Sequence, residues 1–135
     1  MRIVRLVLTA VIAVIASTAS ADPRTDFLLH CRGCHLPDGS SVPPDVPTLR
    51  DVLGRIVATP EGRDYVIRVP GVAQSSLADK QLASVLNWVL TEFNAETLPA
   101  DFKPFTEKEV AKARKNVLAD PLKHRAKIWE EYATR

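Results

Sequence analysis

The residues with the clearest capacity for chemistry stand together in the run Cys31-Arg32-Gly33-Cys34-His35. Two thiols separated by two residues can form a disulfide, bind a metal ion or add to two neighbouring vinyl groups. The imidazole of His35, the next residue, can bind a metal ion from the same short stretch of chain. The types and spacing of these residues therefore predict a cofactor or metal site built on a single segment.

Three alternatives explain this motif less well than covalent haem does. A thioredoxin-like pair needs a βαβ context, and the sequence shows no sustained two-residue alternation. Zinc needs four ligands, usually as two separated pairs, whereas His30 and His124 are the only other histidines. A disulfide leaves the adjacent histidine unexplained. We therefore predict that Cys31 and Cys34 form thioethers to one haem c and that His35 is an axial iron ligand.

Residues 1–21 have the layout of a secretory signal peptide. Arg2 and Arg5 precede an apolar run over residues 6–16, and small residues lead to Ala21. The run is shorter than the roughly 20 residues that a membrane span needs. We expect cleavage after Ala21, export to the periplasm and no membrane span in the mature chain.

The charges are balanced overall but unevenly distributed. The sequence has 18 basic and 16 acidic residues, and loss of Arg2 and Arg5 with the signal would bring its net charge of +2 to zero. Net charge therefore gives no support for nucleic-acid binding. Residues 22–102 hold 7 basic and 11 acidic residues, and residues 103–135 hold 9 basic and 5 acidic. The basic segment is interpreted as a solvated tail, as a docking surface for an acidic partner or as a clamp on the acidic body.

The elements that must position the motif predict an all-α protein. We expect a small helical domain around one haem over residues 22–98 and a charged C-terminal helical extension over residues 99–135. The clearest helix runs from Ser76 to Phe93 and starts with a capping-box-like pair, Ser76 and Asp79. Its apolar face follows helical spacing and consists of Leu82, Val85, Leu86, Val89, Leu90 and Phe93.

Shorter helices are expected on both sides of that element. Three precede it, near residues 26–33, 49–58 and 61–68, with a proline-rich loop over residues 36–47. In the extension, Thr106 and Glu109 form a capping box, and Asp120 with Pro121 starts a last helix. The apolar face expected for that helix consists of Leu122, Ala126, Trp129 and Ala133, with Ile128 and Tyr132 alongside.

Over residues 24–95 the sequence resembles the class I cytochrome c family. Phe27, four residues before the first cysteine, is similar to the aromatic residue of that family's N-terminal helix. The segment beginning at Pro47 resembles the one whose proline carbonyl accepts a hydrogen bond from the axial histidine, here His35. Trp88 lies where the family packs a residue against its N-terminal helix. The resemblance implies that Pro47 and Trp88 belong to the haem surroundings.

The distal side of the predicted haem departs from the family. Met1 is the only methionine and leaves with the signal, whereas in the family a methionine binds the iron opposite the histidine. Val69 stands in its place, and together with Val72 it would shield the distal face. An empty, valine-lined site is the favoured prediction, and His124, a lysine, an asparagine such as Asn87 or water are the alternatives. Without a methionine ligand, we expect a lower reduction potential or high-spin iron.

These features predict a one-electron carrier, which needs no catalytic residue because the haem carries the electron. Its redox partner would be a periplasmic dehydrogenase, which it could also serve as a haem subunit, or a terminal acceptor. A second hypothesis is a haem protein with an open distal site that binds a small ligand or reacts with peroxide, with Arg68 as a nearby cation. A third is a structural role, since haem would add apolar surface to a small domain.

Overall fold

The computed structural model describes residues 22–43 and 46–133, so the predicted signal peptide lies outside the described residues. The described part is helical and has no strand, which confirms the all-α prediction. Its helices are α1 (Pro23–His30), α2 (Leu53–Ile56), α3 (Pro60–Arg68), α4 (Pro70–Ala73), α5 (Asp79–Phe93), α6 (Glu107–Ala113) and α7 (Pro121–Ala133). Among these helices, none is both long and apolar enough to cross a membrane.

Helix α5 is the central element, and α1 and α6 both pack against it. All six apolar residues predicted for its buried face are buried. The α1 contact is aromatic: the Phe27 ring lies 5.3 Å from the Trp88 ring and 5.7 Å from the Phe93 ring, measured between centroids. The predicted packing of Trp88 against the N-terminal helix is therefore confirmed.

Local capping moves several helix ends from their predicted positions. Helix α1 starts earlier than expected, because the Asp22 carboxylate accepts a hydrogen bond from the Thr25 amide at 3.3 Å and Pro23 suits the first turn. Helix α2 is shorter than the predicted 49–58 element. The capping box predicted for Ser76 and Asp79 is wrong, because α5 begins at Asp79 itself. There the Gln81 side chain accepts a hydrogen bond from the Ala78 amide at 3.3 Å.

Both caps predicted in the extension are confirmed. The Thr106 hydroxyl accepts from the Glu109 amide at 3.2 Å, and the Glu109 carboxylate accepts from the Thr106 amide at 3.5 Å. The Asp120 carboxylate accepts from the Lys123 amide at 2.9 Å, and α7 begins at Pro121. Short-range capping signals therefore locate the two helices of the extension correctly.

The apolar face predicted for α7 is wrong at Leu122 and Ala126, which are exposed, and is confirmed at Trp129, which packs against the core. Leu122 is 48% exposed, whereas Ile128 is only 5% exposed. The ring of His124, one turn before Ile128, stacks on buried Tyr65 of α3 at an interplanar angle of 4°. Helix α7 therefore turns its His124–Ile128 side to the body. The side chains of Tyr132 and Ala133 lie outside the described residues.

The hydrophobic core continues across the boundary predicted between residues 98 and 99. Phe105, Val110, Leu118 and Ile128 belong to the same buried cluster as Phe27. A surface ion pair adds to this contact, because Arg63 of α3 binds Glu109 of α6 at 2.9 Å. Its guanidinium also lies 4.2 Å from the centre of the Phe105 ring. Helices α6 and α7 therefore pack on α3 and α5.

Candidate haem-binding site

The cysteine–histidine motif forms a single turn directly after α1. The Cys31 amide continues the helical pattern by donating to the Phe27 carbonyl at 2.9 Å. The amides of Cys34 and His35 both donate to the Cys31 carbonyl, at 3.2 and 3.1 Å. Residues three and four apart on such a turn lie on one face. This spacing favours one side of the chain for the two thiols and the imidazole.

Cys31 and Cys34 are not joined by a disulfide in this turn. Burial, followed by the negative charges of Asp26 and Cys34, raises the pKa of Cys31 to about 11. A redox or nucleophilic cysteine is instead made reactive by a lowered pKa. The raised pKa keeps the Cys31 thiol neutral at physiological pH.

Among the described residues, no three histidine, cysteine, aspartate or glutamate side chains converge as a metal-ion site.

His35 presents a neutral ring with an unused nitrogen. Burial lowers the pKa of this imidazole, so the neutral form that can bind iron is favoured. Its Nδ1 atom is buried and has no hydrogen-bond partner in the described part of the chain. The expected hydrogen bond to the Pro47 carbonyl is therefore absent from this structure. Asp26 is a second buried group with an unpartnered atom, its Oδ2.

The loop after the motif carries Pro47 back toward this turn. Gly39 adopts a positive φ of 82°, and a Cβ atom there would lie 2.7 Å from the Phe93 ring. Only glycine suits that conformation and that close approach. The Gly39 carbonyl accepts a hydrogen bond from the Leu49 amide at 2.9 Å. Pro47 thus lies two residues from a direct contact with the loop that follows His35.

An apolar groove of ≈ 410 Å³ opens between this loop and α7. The groove explains why part of the face predicted for α7 is not packed on the body. Its lining residues are Pro43, Pro47, Thr48, Val52, Leu122, Arg125, Ala126 and Trp129.

The predicted distal residues lie in the turn that links α3 to α5. Val69 ends α3 and starts α4, and both Val69 and Val72 are half-buried against the core. A cleft of ≈ 490 Å³ separates this turn from the end of α1, with His30 on one wall and Pro70 and Gly71 on the other. The turn therefore faces the helix end that leads directly into Cys31.

The sequence matches known cytochromes. It is 33% identical over 102 aligned positions to cytochrome c-552 of Thermus thermophilus, covering 62% of this chain and 78% of that protein. It is equally similar to a cytochrome c-552 from a named strain of the same species, covering 69% of that protein. No family model matches the sequence. The chain belongs to the class I c-type cytochromes.

The cofactor of this cytochrome is covalently bound haem c, and the site residues fit it. Two thiols three residues apart in one turn suit addition to two vinyl groups. A neutral imidazole suits axial ligation through one ring nitrogen, and its other nitrogen is then free to donate a hydrogen bond. Cys31, Cys34 and His35 thus lie within one turn, and Trp88 packs on Phe27 of the helix that precedes it.

The other candidate ligands of this cytochrome have specific contacts elsewhere. The Asn87 amide donates to the Phe105 carbonyl at 3.0 Å and accepts from the Phe105 amide at 2.7 Å. Both polar atoms of the Asn87 side chain therefore bind the backbone of the extension in this structure. The His124 ring stacks on the ring of Tyr65. Tyr65 belongs to α3 and precedes Val69 by four residues.

Asn94 is a site-positioning residue that sequence reasoning missed. It is fully buried at the end of α5 and holds the chain that follows Pro47. Its Oδ1 accepts from the Gly54 amide at 3.1 Å, and its Nδ2 donates to the Leu49 carbonyl at 2.9 Å. These contacts span 40 and 45 residues, so no local pattern could have revealed them.

We expect Asn94→Ala to destabilise the holoprotein by about 2–4 kcal/mol, because it leaves the Gly54 amide and the Leu49 carbonyl without partners. Denaturant unfolding of both proteins measures this difference. Asn116→Ala, at an exposed asparagine, is the matched control and should stay within about 0.5 kcal/mol of the wild type. A similarly small effect at Asn94 would contradict the positioning role.

Proposed function

We propose that this cytochrome is a periplasmic one-electron carrier whose single haem is attached through Cys31 and Cys34 and ligated by His35. The observation that supports the proposal is the 31–35 turn, in which the amides of Cys34 and His35 both donate to the Cys31 carbonyl, a spacing that favours one face for the three side chains. When bound, haem c supplies a one-electron redox couple. The rest of the chain has only to orient the haem, shield it from water and leave a path to a partner.

We propose that the groove beside Pro47 covers an apolar part of the haem. The Leu49 amide, next to the wall of the groove, donates a hydrogen bond to the Gly39 carbonyl. Gly39 lies four residues beyond His35. Thr48 adds a hydroxyl hydrogen bond to the same carbonyl at 3.4 Å. The groove therefore lies close to the attachment turn along the chain. Arg125 also lines it and would offset the negative charge of a haem propionate.

On the distal side, we propose that Val69 and Val72 provide apolar cover and no iron ligand. Their side chains have no donor atom, and they lie in the turn that faces the end of α1. His124 is the alternative sixth ligand. Its half-buried ring would have to leave the stacked position on Tyr65 to bind iron.

The contacts of Arg68 favour electron transfer over the peroxide alternative. Peroxide chemistry would gain from a free cation near the iron. Arg68 instead binds the Asp64 carboxylate through Nη1 at 2.6 Å and the Asn116 carbonyl through Nε at 2.6 Å. Its charge is paired with Asp64 and its Nε is directed to the extension, which argues against Arg68 as a distal cation.

We propose a periplasmic redox partner, either a dehydrogenase or a terminal acceptor. The signal-like residues 1–21 support export. Residues 103–135 carry a net charge of +4, and Lys108, Lys112 and Lys115 are exposed. Such a surface would attract an acidic partner and speed its encounter at low salt.

The carrier role is tested by comparing electron exchange with peroxide turnover. Ferric holoprotein from a periplasmic extract would be reduced by a small donor, reoxidised by a small acceptor and cycled repeatedly in a stopped-flow instrument. We expect complete cycles with one electron per chain and peroxide consumption much slower than electron exchange. Peroxide turnover faster than exchange would contradict the carrier role and favour the alternative.

A further inference from the structure

The turn that contains Val69 and Val72 is hydrogen-bonded to the C-terminal extension at the residue where the turn begins. The Leu118 amide donates to the Arg68 carbonyl at 2.9 Å. In return, Nε of Arg68 donates to the Asn116 carbonyl at 2.6 Å. These reciprocal bonds fix the residue immediately before Val69.

Residues 69–79, called here the 69–79 segment, link α3 to the start of α5. Arg114 of the extension binds the later part of this segment. Nε of Arg114 donates to the Ala73 carbonyl at 3.0 Å, and Nη1 donates to the Leu77 carbonyl at 2.8 Å and the Asp79 carboxylate at 3.0 Å. Nη2 donates to the Ser75 carbonyl. The Arg114 side chain is only 16% exposed. A planar guanidinium can serve four such acceptors at once, whereas a lysine ammonium has three donors on one atom.

The opposite side of the same segment is open. The ≈ 490 Å³ cleft separates it from the end of α1. Across this cleft, the Ser76 hydroxyl and Nδ1 of His30 lie 3.4 Å apart, a long and weak contact. The segment is therefore held more firmly from the extension than from α1.

We propose that Arg114 is a positioning residue that holds Val69 and Val72 over the distal face of the haem and thereby limits access of small ligands to the iron. The inference rests on the proposed function, because it requires haem on Cys31 and Cys34. Without the guanidinium, three carbonyl groups and one carboxylate lose a charged donor. The segment can then move into the open cleft, which exposes the distal side.

The test uses holoproteins with Arg114→Gln and Arg114→Lys, and Lys115→Gln as the control at the exposed neighbouring residue. Carbon monoxide binding to ferrous protein and imidazole binding to ferric protein are followed by stopped flow. Amide hydrogen exchange is measured for the 69–79 segment and for α5. For Arg114→Gln we expect association at least roughly tenfold faster, because several charge-assisted bonds are lost. Arg114→Lys, which keeps part of the contact, should show a smaller increase.

Exchange should become faster in the 69–79 segment and stay unchanged in the middle of α5. Faster exchange without faster ligand binding would overturn the proposal, because the segment would then not guard the iron. Faster ligand binding without faster exchange would also overturn it. If Arg114→Gln did not fold, Arg114→Lys alone would decide. Wild-type rates of ligand association and of amide exchange in that variant would overturn the proposal. Failure of the proposed function is distinguishable, since the wild-type protein would then lack haem on Cys31 and Cys34 or would turn over peroxide faster than it exchanges electrons.

Discussion

Replacing both Cys31 and Cys34 with alanine should abolish covalent haem attachment completely. Both thioethers would be lost, so acidified organic solvent would extract all haem from any protein that still binds it. Each single replacement leaves one thioether and one intact vinyl group. We expect the single variants to keep some haem and to show a shifted pyridine haemochrome spectrum, because the remaining vinyl group stays conjugated with the porphyrin.

The control for this experiment lies within the same turn. A Cβ atom added at Gly33 meets nothing within 4 Å, so Gly33→Ala should attach haem normally. Mass spectrometry of the denatured proteins measures attachment in all variants. Haem retained after denaturation of the double variant would place the attachment elsewhere and contradict the assignment.

Replacing Val69 with methionine should raise the reduction potential. The substitution places a thioether at the residue proposed to stand in for the family's distal methionine, and a methionine ligand favours the ferrous state. We expect an increase on the order of 100 mV, a fraction of the roughly 0.8 V range that axial ligands span. The same thioether should slow carbon monoxide binding, because it must leave the iron first. Spectroelectrochemical titration and stopped-flow kinetics measure the two effects.

Val117→Met makes the same change at a valine that is 41% exposed in the extension. This control should leave both the potential and the ligand kinetics at wild-type values. If Val69→Met behaved like the control while Val72→Met raised the potential, the valine facing the iron would be Val72. No response at either position would show that this turn does not face the iron.

The haem motif and the central helix could be predicted because their signals are local. Cys31, Cys34 and His35 lie within one turn, and residues three and four apart in such a turn favour one face. Helix α5 has a single continuous apolar stripe, and its six predicted residues are all buried. The Thr106–Glu109 and Asp120–Pro121 caps also act within one turn.

Helix α7 could not be oriented from sequence for a physical reason. Its sequence offers apolar residues on more than one side, and periodicity alone does not say which side meets the body. The stacking of His124 on Tyr65 and the burial of Ile128 decide the orientation. Leu122 and Trp129 then line the groove beside Pro47.

The positioning residues were missed because their bonds join distant parts of the chain. Asn94 reaches residues 40 and 45 positions away, and Arg114 reaches acceptors 35 to 41 positions away. In the sequence, Arg114 is one cation among many in a basic segment. Only the folded chain shows that its guanidinium binds the backbone of the 69–79 segment.

Spectroelectrochemical titration of the purified holoprotein tests the carrier function most directly. The proposed function predicts a single reversible transition that involves one electron per chain, with haem that remains attached after denaturation in acidic solvent. An irreversible transition, or haem that denaturation releases, would contradict a one-electron carrier built on Cys31, Cys34 and His35.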